Sequence, residues 1–408
     1  MAGLPPRAPL GGKPPKPPFF WSFCLSLLVS CFGAGAAVAD PCPILAARVA
    51  AEPGRGPVLL RSYDEVSAQP ALANAAFTYD NAVATIALVA CGRVEEARRI
   101  GAGLALAARH DPAGRLRNAY RGGVQPDPPP PHGWWDPGQG RWVEDSYQVG
   151  SASGVVAWAG LALLTLGGDF REAAAILGHW LVAETRDSRG AGGFSGGIDG
   201  QGAGERRLTW KAAEHQVDLI ALFGGLTRSG VPGPWPAAEA EARRMLESLW
   251  QAQDGHFLVG TLEDGITPNR TNSGLDAQLW PLLLPGAKPE WRRALAYAER
   301  AHGVTGGFSF AADRAGLWTE GTAQALLAYR FVGQQAQVRL LQTTLAQQVS
   351  PSGYLWATPE ARLPTGLAIG PASREADFFY FHWPHLGATA WAALAEQGWN
   401  PFTGSRIP

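Results

Sequence analysis

The stretch GLWTEGTAQALLAYR, residues 316–330, decides how this chain folds. From Gly321 onward it is apolar on nearly every side, the mark of a helix buried all round and not laid on a surface. Yet it opens with Trp318 and Glu320, a large aromatic and a carboxylate in what should be the first turn. Three further stretches repeat the arrangement: FTYDNAVATIAL (77–88), WKAAEHQVDLIALF (210–223) and TNSGLDAQLWPLLL (271–284). One buried helix opening with an acid is an accident; four form a repeat.

Apolar residues recur at three- and four-residue spacing in eleven segments: 78–91, 94–109, 149–166, 170–184, 212–228, 237–252, 274–284, 290–302, 319–332, 335–349 and 385–397. SYDEVSAQPAL (62–72) is a candidate twelfth helix. Alternating β-branched runs are absent, so no extensive sheet is expected. The helices beginning at 78, 149, 212, 274, 319 and 385 are almost uncharged, whereas those at 94, 170, 237, 290 and 335 carry Arg, Glu and Gln on one face. Six inner and five outer helices follow. After each outer helix comes a glycine-plus-aromatic or apolar segment, DPAGRLRNAY, GGFSGG, DGHFLVG, GGFSF or SGYLWA. This is a degenerate helix-hairpin repeat whose units need their neighbours to close a core.

An all-α, (α/α)6 toroid of six helical hairpins with long inter-hairpin loops satisfies that pattern. Here the sequence resembles the six-hairpin glycosidase superfamily, through TYDNAVATIAL, EHQVDL, WTEGTAQALLAY and HLGATAWAALAEQGWNPF. The resemblance covers about residues 60–402 and is architectural, without a signature of one enzyme family. It implies that acids at the tops of inner helices are candidates for glycosidic chemistry.

Composition bounds the rest. The 408 residues carry 34 basic and 35 acidic side chains, with no basic run of the kind nucleic-acid binding requires. Lys occurs only at 13, 16, 211 and 288. Residues 1–39 read as a signal peptide or anchor: Lys13 and Lys16 precede a long apolar run, and AVA before Asp40 has signal-peptidase spacing. LVSC (28–31) also looks like a lipobox that would place a lipid on Cys31, and the run nears the length of an uncleaved membrane span. Residues 40–60 read as a linker, 61–402 as the toroid and 403–408 as a tail. Cys42 and Cys91 are an even pair that an oxidising compartment can join, although Cys91 in ALVACG also reads as a small buried apolar residue.

In a toroid the inner-helix N-termini converge, so Asp80, Glu214, Asp276 and Glu320 should meet in one cleft. Taken singly, each carboxylate is explained by the helix dipole, which favours acids in a first turn. Gathered in partial burial, like charges raise at least one pKa, which separates a general acid from a base. Glu320 and Glu214 are the leading catalytic candidates and Asp80 an alternative base. Asp218, one turn below Glu214, and Asp276 are supporting carboxylates. Trp318, Tyr79, His382, Trp383, Trp135, Trp210 and Tyr147 are candidates for stacking on or binding a sugar. The segment 111–148, with its proline run and Trp134, Trp135 and Trp142, is expected to form a rim or lid.

Other motifs point nowhere. GFSGG (193–197) matches the serine-hydrolase pattern without its strand-turn-helix context, and HWPH (382–385) lacks an acid or Cys cluster to complete a metal site. No cofactor is called for. The expected function is an exported enzyme hydrolysing glycosidic bonds of a polysaccharide or oligosaccharide, with a lyase as a relative of that chemistry. A non-catalytic carbohydrate-binding or assembly protein of the cell envelope is the alternative.

Overall fold

The structure, a computed structural model, describes residues 40–64, 69–367 and 377–407. The segment read as a signal peptide or anchor, with Cys31, lies outside them, as does the middle of the helix considered at 62–72; among the described residues no helix is long and apolar enough to cross a membrane.

Twelve helices form the body: α1 (Pro41–Ala51), α2 (Thr78–Ala90), α3 (Val94–His110), α4 (Ser153–Leu166), α5 (Phe170–Glu184), α6 (Ala213–Arg228), α7 (Trp235–Ser248), α8 (Asp276–Leu279), α9 (Arg293–His302), α10 (Thr319–Phe331), α11 (Gln335–Ala346) and α12 (Leu386–Gln397). The even-numbered helices are the inner ring. Each packs on the next, and α12 packs on α2 to close the circle. Their inward and outward faces are both buried, which explains sequences such as SGVVAWAGLALLTL in α4 with no charge at all. α8 is short because Pro281 has no N–H to continue it; a 3-10 turn, Trp280–Leu283, takes over.

The segment read as a linker is the missing outer helix. Asp40 caps α1 by accepting from Cys42 N at 3.0 Å, Pro41 opens it, and Cys42, Leu45 and Val49 are buried against α2, α3 and α12. A disulfide joins Cys42 to Cys91 at the end of α2. The tail is also structured: Ser405–Arg406 pairs antiparallel with Trp399–Asn400.

One polar contact recurs around the ring. In α2 the Asn81 amide bridges both backbone groups of Leu60 at 2.7 and 3.0 Å, just beyond α1. Gln216 of α6 does the same to Phe194 beyond α5, and Gln278 of α8 to Phe257 beyond α7. In α10 and α12 the hydroxyls of Thr322 and Thr389 accept from Phe308 N and Leu355 N. Five of the six inner helices therefore grip the chain leaving the preceding outer helix, satisfying backbone groups that would otherwise be buried unpaired. α1 stands to α2 as α5 stands to α6.

The glycine-plus-aromatic segments form a belt on one rim. Ala75–Phe77 pairs with Ala119–Arg121, Ser151–Ala152 with Gly197–Ile198, Ala212 with Gly260, Gly274 with Ala311, and Leu355–Trp356 with Pro384–His385. Each pair holds the residues immediately before an inner helix, and at α10 Thr319 N donates to Ala357 O at 3.1 Å, so six N-termini face one cleft. Gly197 (φ +111°) and Gly260 (φ +155°) occupy equivalent places. A Cβ there would fall 2.1 Å from Ser151 O and 2.0 Å from Lys211 O, so no other residue fits.

Candidate active site

Four inner helices deliver the predicted acids to this rim. Asp80 is the third residue of α2, Glu214 the second of α6, Asp276 the first of α8 and Glu320 the second of α10. Asp80, Asp276 and Glu320 are at most 5% exposed; the Glu214 side chain is about one-third exposed.

Around Glu320 the contacts form a chain. Trp391 Nε1 donates to Tyr79 Oη at 2.7 Å, and Tyr79 Oη donates to Glu320 Oε1 at 2.7 Å. Burial and the Glu320 charge keep the Tyr79 phenol protonated. The other carboxylate oxygen, Oε2, is buried without a hydrogen-bond partner among the described residues. Burial pushes Glu320 up, the neighbouring His385 pulls it down and Asp80 pushes it up again, to about 7.

His385 Nε2 lies 3.3 Å from Asp80 Oδ2, and its Nδ1 lies 3.8 Å from Glu320 Oε2. The ring is fixed by Tyr63, stacked at 4.8 Å, and Nδ1 accepts from Ala388 N at 3.3 Å, capping α12. Burial alone would lower its pKa; Asp80 and Glu320 outweigh that and raise it. Gly387 makes room for the group. A Cβ on it would meet Asp80 Oδ1 at 2.7 Å, His385 Cε1 at 2.9 Å and Glu320 Oε2 at 3.0 Å. The facing oxygens of Asp80 and Glu320 are thus within about 6 Å of each other.

A second group lies on α4, α6 and α8. Glu214 is raised well above the ordinary carboxylate range by burial and then by the neighbouring Asp276; Asp276 is raised by burial as well. Asp218, one turn deeper, has neither oxygen hydrogen-bonded among the described residues. Burial and the Asp276 charge raise it and keep it neutral, while the Trp158 indole works the other way. His215 is pulled down to about 4 by burial. Ser153 Oγ donates to Ser195 O at 2.7 Å and so accepts from His215 Nδ1 at 2.9 Å. This network assigns the imidazole proton to Nδ1 and leaves Nε2 as a lone pair, 3.7 Å from Glu214 Oε1. Gly154 accommodates both side chains: a Cβ would fall 2.5 Å from His215 Cδ2 and 2.9 Å from Asp218 Oδ2.

Deeper in the ring Trp158, Trp280, Trp391 and Phe402 pack against one another with centroids 5.4–5.8 Å apart, and plug the axis. The carboxyls therefore sit above a closed apolar floor, in a low-dielectric setting where charge is costly and pKa values separate.

The aromatic candidates divide. Tyr79, Tyr147, Trp210 and Trp383 are half-buried. Tyr147 feels the charges of Glu214 and Asp80, Trp210 lies 5.4 Å from the His215 ring, and Trp383 stacks on Phe381 and edges onto Tyr63. Trp318 is only 2% exposed and packs on Phe310 and Tyr380. It backs the cleft wall and does not present a face to a sugar; the half-buried Tyr380, in the field of Glu320, stands in front. His382 donates to or accepts from nothing in the cleft: its Nδ1 binds Thr358 O at 2.7 Å and its ring stacks on Trp356 at 4.2 Å. Trp135 is exposed on a hairpin at the rim. Sequence reasoning gave no role to His215, and met His385 only within HWPH. Among the described residues no three His, Cys, Asp or Glu side chains form a metal-holding group.

No family model matches this sequence, and no curated protein does. Solved structures do match the fold. A glycosidase variant in complex with glucose superposes with a TM-score of 0.57 at 15% identity, over 88% of this chain and 97% of that one. Cellobiose 2-epimerase from Spirochaeta thermophila gives 0.56 at 15% identity over 87% and 92%. A family 76 glycoside hydrolase from a bovine Bacteroides thetaiotaomicron strain gives 0.54 at 11% identity over 87% and 76%. The fold is an (α/α)6 toroid, shared with these structures. At these identities the likeness carries the architecture, and chemistry has to be argued from the side chains.

Proposed function

We propose that this is an exported glycoside hydrolase acting on an oligosaccharide or polysaccharide. One observation carries the reading: Glu320 holds its proton near neutrality and aims an unpartnered oxygen, Oε2, at Asp80 across the space Gly387 leaves. A carboxylic acid poised near pH 7 opposite a second carboxyl is the equipment glycosidic cleavage needs. Glu320 protonates the departing oxygen, with Tyr79 and Trp391 holding its other oxygen still. Asp80, oriented by His385, stabilises positive charge developing on the sugar ring and attacks it or activates water.

Glycosidases that retain configuration have carboxyls about 5 to 5.5 Å apart, and inverting ones about 6.5 to 9.5 Å. The facing oxygens of Asp80 and Glu320 lie no more than about 6 Å apart, and the anomer released first tells which of the two mechanisms operates. Glu214, raised well above the ordinary carboxylate range beside Asp276, is a further carboxyl on a different inner helix. The glycosidase and the family 76 hydrolase among the structural neighbours support this chemistry by analogy of fold.

The lone pair on His215 Nε2 favours a second reading, epimerisation or isomerisation of a reducing sugar through proton abstraction, in line with the epimerase neighbour. One experiment separates them. The mature chain is incubated in deuterated water with a panel of glycans and followed by NMR. Hydrolysis releases a new reducing end, first as the retained anomer if Asp80 attacks the sugar and as the inverted one if it activates water. Epimerisation instead places deuterium on carbon with no release. Binding without either reaction would favour the envelope-binding alternative. In the hydrolytic case Glu320→Gln and Asp80→Asn each lower the rate by about 10² to 10⁴, with circular dichroism unchanged.

A further inference from the structure

We propose that Trp135 and Trp142 form a distal sugar-binding subsite that seats a glycan chain running out of the cleft. The inference rests on the carbohydrate reading above and deepens it, since such a subsite serves a polymer and not a mono- or disaccharide.

Trp134–Asp136 and Arg141–Val143 form a hairpin in which Trp135 lies opposite Trp142. Directly opposed residues of an antiparallel pair project from the same face, so both indoles leave the hairpin on one side. They are 61% and 46% exposed, and no other tryptophan among the described residues is exposed. Holding two indoles in water forgoes the burial that drives folding. The half-buried Trp134 and Val143, on the opposite face, have taken it.

The platform is rigid before any ligand arrives. Asp136 Oδ1 accepts from Gly138 N at 2.8 Å and Gln139 N at 3.2 Å, and its Oδ2 accepts from Gln139 Nε2 at 2.7 Å, which locks the turn. The Arg121 guanidinium sits 5.5 Å from the Trp142 ring centre, and Gly133 lies against the same indole, where a Cβ would approach to 2.4 Å. Flat aromatic faces edged by polar groups such as Asp136, Arg141 and Glu144 match the apolar faces and equatorial hydroxyls of sugar rings.

Both ends of the hairpin are continuous with the cleft. Arg121 ends the strand that pairs with Ala75–Phe77, which runs directly into Tyr79 and Asp80. The other strand continues through Asp145, which caps the turn Ser146–Val149 by accepting from Gln148 N at 3.0 Å, to Tyr147 in the field of Glu214 and Asp80. Five residues separate Trp142 from Tyr147, at most about 18 Å of chain. A glycan bound over Asp80 and Glu320 reaches the indoles by lengthening a few rings.

The test uses Glu320→Gln protein, so that bound glycan stays intact, with and without Trp135→Ala and Trp142→Ala. Affinity electrophoresis in gels containing soluble mannan, xylan, hydroxyethyl cellulose or glycol chitosan finds the retarding polymer. Calorimetry then compares its disaccharide and hexasaccharide. The expected result is at least a tenfold loss of hexasaccharide affinity in the double indole variant, with disaccharide affinity unchanged; Trp135→Ala alone, which removes no ring contact, shows part of the loss in a fully folded protein. Equal loss for both lengths, no loss for either, or no retardation of the parent protein by any polymer overturns the subsite. So does a dimer that dissociates in the indole variants with sugar binding intact. Retardation that needs the indoles, from a chain that releases no reducing ends, leaves the subsite standing and removes hydrolysis. Reducing-end release with hexasaccharide KM unchanged in the indole variants does the reverse.

Discussion

Glu320 is the group whose burial has the most measurable consequence. In an unfolded chain its carboxyl has an ordinary value of 4.5, and in the folded protein it is raised to about 7. Between those two values the folded state binds more protons than the unfolded one, so its contribution to stability is fully present below the lower value and is lost as pH rises through the upper one. At about 1.4 kcal/mol per pH unit the loss is about 3 kcal/mol. Unfolding entropy for a domain of this size is on the order of 0.8 kcal/mol per degree, so Tm should fall by about 4 °C more than in a chain without this group. Glu320→Gln supplies that chain, because glutamine mimics the protonated acid and does not titrate. Differential scanning calorimetry of both proteins should give nearly equal Tm at pH 4.5 and a gap of about 4 °C in favour of the glutamine variant at pH 7.5. The remaining ionisable groups are common to both proteins, and their contributions cancel to first order. A gap that stays constant across that window would refute the burial of an ionisable Glu320, and with it the choice of general acid.

Three other changes test the neighbourhood. Tyr79→Phe removes a bond that favours the charged form of Glu320, so the alkaline limb of the hydrolysis pH profile should move to higher pH while the maximum rate falls. Gly387→Ala pushes a methyl onto Asp80 and Glu320; activity should drop at least tenfold and stability by about 1 to 3 kcal/mol, read by assay and denaturant melt. Cys91→Ser opens a bridge spanning 49 residues and should cost about 4 kcal/mol, a loss that vanishes when both proteins are melted under reducing conditions.

How much of this was legible from residues alone varies with range. The inner helices announced themselves because burial on all sides leaves no charge to disguise the period, as in LALLTL of α4 and AQALLAY of α10. Their convergence followed from the repeat, and with it the meeting of Asp80, Glu214, Asp276 and Glu320. α1 was not legible as part of the ring, since its hairpin partner α12 lies at the other end of the chain and nothing local advertises the pairing. The signal was present in Asn81, which occupies the place of Gln216 and Gln278, but a polar residue in an inner helix has meaning only once its backbone target is known. The same limit applies to side chains. Trp318 and His382 carry the right chemistry in the right loops, and only the packing of Phe310, Tyr380 and Trp356 shows that their faces are already occupied. His215 looked like a neighbour of an acid; its tautomer depends on Ser153, two helices of sequence away.

The ring's seam lies between its first helix and its last. Gln397, at the end of α12, reaches Cys42 at the start of α1, and Leu45 and Val49 lie buried beside them. During synthesis the first of the described helices must wait for the last to cover the rest of its apolar face. Only a partner already at hand, α2 with the Asn81 clamp on Leu60, can hold it in place meanwhile. The order in which the chain emerges therefore runs opposite to the order in which the circle can close, and a chain truncated anywhere before α12 is an open arc with both raw edges exposed.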